Sequence, residues 1–118
     1  MRIAFALDDG ETFPVTLHDS HAAADLVAQL PLTLTMRDFH GIEKVADLPE
    51  RLATAGAPAG ATPSVGDLTY YAPWGNLAFF YRAFDYAEGL VALGRIDGDP
   101  AVLEGIGEGQ AATVSLVG

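Results

Sequence analysis

GDLTYYAPWGNLAFFYR, residues 66–82, holds two strand-forming runs joined by Pro-Trp-Gly, and contains the only Trp and the only Asn of the chain. Tyr, Phe, Leu and Thr crowd both arms, a composition that suits a pleated, half-buried surface. Pro73 pre-sets its backbone, Gly75 accepts a positive φ, and Asn76 can bond the local backbone, so the centre predicts a hairpin turn. Alternation along the arms sets Tyr70, Phe80 and Arg82 against Tyr71, Phe79 and Tyr81, one set for the core and the other for an outer face or groove.

Outward from this hairpin the same signals recur. GLVALGRI predicts a strand after the AFDYAE loop, DPAVLEGI a short helix begun by Asp99 and Pro100, and AATVSLV a last strand. Upstream, AGAPAGATPS, residues 55–64, is too rich in Gly and Pro for regular structure and predicts a surface loop. Ile3, Phe5 and Leu7 alternate with Arg2, Ala4 and Ala6, Asp8-Asp9-Gly10 turns the chain, and ETFPVTLH completes a first hairpin, with Pro14 suggesting a sheet edge or bulge. Ala22, Ala23, Leu26, Val27 and Leu30 recur at helical spacing after a cap at Asp19 or Ser20, and Pro31 ends the run. LTLTMRD and GIEKVADL predict two further strands about a turn near His40-Gly41, followed by one helical turn in LPERL.

Eight short strands and one or two helices, with no repeat and no βαβ rhythm, predict a mainly β, single-domain fold over residues 1–118: an eight-stranded, mostly antiparallel barrel whose closure removes exposed edges. Half of the 118 residues are hydrophobic, enough for a core without staples. There is no Cys, which excludes disulfides and thiolate chemistry. The apolar run at the N-terminus breaks at Asp8, short of a signal-peptide core, and no stretch has the length of a membrane span, so a cytoplasmic location is expected. Sixteen acidic against six basic residues give a net charge of −10, which argues against nucleic acid and anionic membranes as partners.

Few motifs carry chemistry. His21 and Asp25 stand one helical turn apart, but no third firm ligand accompanies them and His18 belongs to a strand end, so no metal site or other cofactor is expected. Ser20, His21 and Asp25 hold the letters of a hydrolase triad without a geometry that could align them. Asp38, His40 and Glu43 gather about a turn and could do acid–base work in a cleft; a charged turn in water is the preferred interpretation. GIGEGQ follows a short helix instead of opening one, so it is not a phosphate loop. Trp74, a large amphipathic side chain at a hairpin tip, either packs as a lid on a barrel end, the preferred interpretation, or meets a ligand.

LPLTLTMRDFHGIEKVADLPERL and PSVGDLTYYAPWGNLAFFYRAFDYAEGLVALGRI resemble a family of bacterial cyclophilin-like domains. The resemblance rests on Gly41 followed by Glu43-Lys44, on Leu48-Pro49, on Gly66-Asp67 with Tyr70-Tyr71, on Pro73 to Asn76, and on Gly89-Leu90 before Leu93-Gly94. It implies an eight-stranded barrel flanked by two helices. Cyclophilins that isomerise prolyl bonds carry Phe-His-Arg, whereas this chain has Phe39-His40-Gly41, so the arginine of that motif is missing. Arg37 and Arg82 are the nearest substitutes.

The expectation is a domain that binds a small molecule or an extended peptide in a groove beside the 66–82 hairpin, with Tyr70, Tyr71, Trp74, Asn76, Phe80, Arg82, Arg37, Phe39 and His40 as candidate contacts and no catalytic residue. The alternatives are a prolyl isomerase with a non-standard arginine and, from the resemblance, an accessory to flavodoxin-like redox proteins. A homo-oligomer is left open.

Overall fold

Period-two alternation becomes strand pairing throughout the computed structural model, which describes residues 1–117. In chain order the elements are β1 (Arg2–Leu7), β2 (Thr12–Leu17), α1 (His21–Gln29), β3 (Leu32–Thr35), β4 (Arg37–Phe39), β5 (Glu43–Asp47), β6 (Gly60–Ala61), β7 (Asp67–Tyr71), β8 (Asn76–Phe80), β9 (Ala87–Glu88), β10 (Leu90–Ile96), a 3-10 turn over Pro100–Gly105, and β11 (Ala111–Val117). Nine strands form one antiparallel sheet in the order β3-β11-β1-β2-β10-β7-β8-β5-β4, and β6 pairs with β9 apart from it. No helix among the described residues is long and apolar enough to cross a membrane.

The expected strand LTLTMRD is broken at Met36, which is why the sheet counts nine strands instead of eight. β3 pairs with β11 and β4 with β5, so residues 32–39 join the two ends of the sheet and nearly close it into a barrel. At the break the Met36 backbone leaves the ladder: its N–H donates to Gln110 O (2.8 Å) and its carbonyl accepts from Gly109 N (2.8 Å).

α1 begins at the cap Ser20, whose hydroxyl accepts from Ala23 N, and turns Ala22, Ala23 and Leu26 onto the barrel core. That core is organised around Phe79, whose ring meets Phe5 at 4.9 Å and Phe13 at 5.6 Å, both edge to face. Ile3, Val15, Leu68 and Leu93 surround the three rings, fully buried.

Three local expectations are corrected. Pro14 is not on an edge, because β2 lies between β1 and β10; the ladder to β10 ends at Val15–Ile96, so the missing N–H breaks no bond there. LPERL makes no helical turn: Leu52 N donates to the Tyr70 hydroxyl and Ala53 N to Asp25 Oδ2, which ties this backbone to neighbouring elements instead of to itself. The loop after Ala55 contributes β6, held against β9.

β8 is buried along its whole length, on both faces. One face feeds the core; on the other, Ala78, Phe80, Val45 and Leu90 form a second apolar cluster, supported by Phe39, Ile42, Ala61, Tyr71 and Ala87. A covering layer on this part of the sheet makes a cleft.

Candidate functional site

Cross-strand register places the side chains of this cleft. β7 and β8 pair with Tyr71 opposite Asn76 and Leu68 opposite Phe79. Directly opposed residues share a face, so Tyr71, Asn76 and Phe80 point away from the core while Tyr70, Leu77 and Phe79 point into it. β5 adds Glu43 opposite Phe80 and Val45 opposite Ala78. Phe39 of β4, Trp74 of the hairpin loop, Phe84, Ala87 and Leu90 complete the lining. The cleft has a volume of about 180 Å³.

The hairpin loop is Ala72–Gly75, with Gly75 N donating to Tyr71 O at 2.8 Å. It presents Trp74 across the strands, so that the indole meets Tyr71 at 5.4 Å and Phe39 at 5.5 Å, both edge to face. Trp74 is 58% exposed. It is therefore a wall at the mouth of the cleft and not a lid on a barrel end. Pro73 braces the loop from below, where a Cβ on Gly89 would come within 2.9 Å of its Cδ. Phe84 stacks over Phe80 with centroids 6.3 Å apart.

Two polar groups interrupt this apolar surface. Asn76 is 2% exposed, and its Oδ1 has no hydrogen-bond partner. A buried acceptor left unpaired costs about 1–3 kcal/mol, so the group is either a cost the fold carries or half of a contact. Glu43 lines the same cleft, half-buried, without an ion pair or a side-chain hydrogen bond among the described residues. Burial pushes its carboxyl up to about 7. Along β5, Glu43 lies opposite Phe80 and Asp47 opposite Asn76, which sets the two polar groups roughly 13 Å apart along the strand direction.

Five of the nine candidate contacts line the cleft: Phe39, Tyr71, Trp74, Asn76 and Phe80. The other four lie elsewhere. Tyr70 is a core residue, 1% exposed, its hydroxyl accepting from Leu52 N at 3.2 Å. Arg82 is held by Glu104 of the 3-10 turn and by the Tyr81 carbonyl, away from the cleft. Arg37 pairs with Asp47 on the surface at 3.2 Å.

His40 serves the backbone. With φ of 56° at His40 and 67° at Gly41, a turn over Phe39–Ile42 is closed by Ile42 N to Phe39 O (3.1 Å) and braced by Asp38 Oδ2, which accepts from Gly41 N. The Phe39-His40-Gly41 string is thus explained by turn geometry.

The charged turn expected to stand in water is partly buried. Lys44, opposite in direction to Glu43, is 7% exposed and donates to Ile106 O at 2.7 Å, with Asp38 Oδ1 at 3.4 Å. The Tyr81 hydroxyl also donates to Asp38. That bond first, and the bonds from Gly41 and Lys44 after it, hold the Asp38 carboxyl below its ordinary value, while burial and then the Asp38 carboxylate push Tyr81 up to about 12. The network ties β4, β5, β8 and the 105–108 segment together and does not open into the cleft.

Glu43, Val45, Phe84, Ala87 and Leu90 also line the cleft without having been expected there. For Glu43 the signal was present, since alternation with Lys44 sends the two side chains to opposite faces. For Phe84 none was, because the 82–86 segment has no period.

No curated protein matches the chain. The sequence profile of the cyclophilin-like family matches residues 7–117, from the end of β1 to the end of β11. A match over nearly all of the chain, together with a nearly closed antiparallel barrel, shows that the chain belongs to the cyclophilin-like family.

Proposed function

We propose that this domain is a binding module for a small molecule, taken up in the cleft between the Tyr71–Trp74–Phe39 wall and Phe84, and that it is not an isomerase. The observation that carries the proposal is the half-buried, unpaired Glu43 in an otherwise apolar, aromatic cleft. Binding sites combine such surface with a few polar groups that fix orientation. At about 180 Å³ the space suits a ring or a short side chain, which favours a small molecule over an extended peptide. Against isomerisation, neither guanidinium near the missing motif position faces the cleft: Arg82 is engaged by Glu104 and Arg37 by Asp47.

The test is a fragment screen read by amide chemical shifts. Ring-bearing fragments should move the amides of Tyr71, Trp74, Asn76 and Phe80 together, with a change in Trp74 emission. Shifts confined to other surfaces, or none at all, would overturn the assignment of the cleft.

A further inference from the structure

We infer that the cleft takes an organic amine in its protonated form, the ammonium paired with Glu43 and the apolar body held among Phe80, Tyr71 and Trp74. This deepens the proposed binding role of the same cleft and rests on it.

The lysine and the five arginines are all engaged elsewhere: Arg2 with Asp97, Arg37 with Asp47, Lys44 with Asp38, Arg82 with Glu104 and Arg95 with Asp67 in ion pairs, and Arg51 with the Ala72 carbonyl. None is left for Glu43, although a half-buried carboxylate is costly without a countercharge. Alone, the carboxyl meets that cost by keeping its proton up to about pH 7; a bound cation would hold it ionised.

The walls suit a cation as well. Phe39, Tyr71, Trp74, Phe80 and Phe84 line the space, and the faces of aromatic rings attract ammonium groups through their quadrupoles. A net charge of −10 draws cations toward the surface and repels anions.

Protonation sets the pH dependence. The groups about Glu43 are few: Tyr71 from β7 is the only other titratable residue lining the cleft, His40 on the preceding turn makes no ion pair among the described residues, Asp47 is engaged by Arg37, and Lys44 with Asp38 lies on the other face. With its carboxyl at about 7, Glu43 is mostly neutral at pH 6 and mostly ionised at pH 8.5, so an ammonium should bind about tenfold more weakly at the lower pH.

The probes are phenethylamine, 2-phenylethanol and phenylacetate, which share a ring and differ in charge, titrated against the full chain by amide shifts and Trp74 emission. Expected at pH 8.5 is binding of the amine at least tenfold tighter than the alcohol and no binding of the acid. At pH 6 the preference for the amine should shrink about tenfold, and Glu43→Gln should abolish both the preference and its pH dependence while the alcohol still binds. Equal affinity for amine and alcohol at pH 8.5, or an undiminished preference in Glu43→Gln, would overturn the cation assignment and leave the cleft as a binding site. If none of the three moves the cleft amides, the binding role itself falls, and the inference with it.

Discussion

Trp74 and Phe39 meet edge to face across the mouth of the cleft, ring centroids 5.5 Å apart and planes at 81°, although one sits in the β7–β8 loop and the other at the end of β4. The contact joins the hairpin to the strand that helps close the barrel. Because the indole is 58% exposed, the contact adds packing without making Trp74 part of the core.

Replacement of Trp74 by Ala should therefore lower stability by about 1–2 kcal/mol, short of the roughly 3–5 kcal/mol of a fully buried aromatic truncation. Urea unfolding followed by far-ultraviolet circular dichroism measures it, since the variant has no Trp. A loss in the fully buried range would place the indole in the core.

Glu43→Gln should raise stability at neutral and alkaline pH. The carboxyl is pushed above its unfolded value, so the native state binds its proton more tightly, and stability falls as pH rises from about 4.5 to about 7. Above that window the wild type carries the full cost of a half-buried charge, about 1–2 kcal/mol once partial solvent access is discounted. The variant's advantage should be largest at pH 8 and vanish near pH 4.5. A constant advantage across that range would show that the carboxyl is not perturbed.

Gly89→Ala tests the support beneath the loop. Gly89 has φ of 82°, and a Cβ there would meet Pro73 Cδ at 2.9 Å, so the substitution combines backbone strain with a steric conflict. A loss of about 1–3 kcal/mol is expected, with a shift in Trp74 emission because Pro73 and Trp74 move together. An unchanged unfolding midpoint would mean that the loop tolerates the extra methyl.

In a coupled assay on X-Pro peptides the protein should not accelerate isomerisation above background, and Arg82→Ala should change nothing, because Arg82 is held at Glu104. Turnover abolished by that substitution would make Arg82 an electrostatic group of an active site.

The amino-acid sequence by itself determined the helix α1 and the main strands, but not β6, β9 or the bounds of the 72–75 loop. Alternation places apolar side chains on one face of Arg2–Leu7, helical spacing and the Ser20 cap define α1, and Pro and Gly mark the loops; all are effects within a few residues. The strand count differs: the sheet has nine strands because residues 32–39 break at Met36, and β6 and β9 pair apart from it. What only the tertiary structure decided is which aromatic residues meet. With Pro73–Gly75 taken as the turn, Tyr70 shares a face with Phe80; with the four-residue loop Ala72–Gly75, the pairing moves by one and Tyr71 takes that place. A shift of one residue exchanges the two faces of a strand, and hydrophobic patterning corrects such a slip only where one face is polar. Here both faces of β8 are buried, one in the barrel core and one beneath Phe84 and Trp74, so alternation had no polar side to register against. The same holds for Glu43: its direction follows from the strand, but its isolation follows from the partners that the fold gives to Arg37, Lys44 and Arg82.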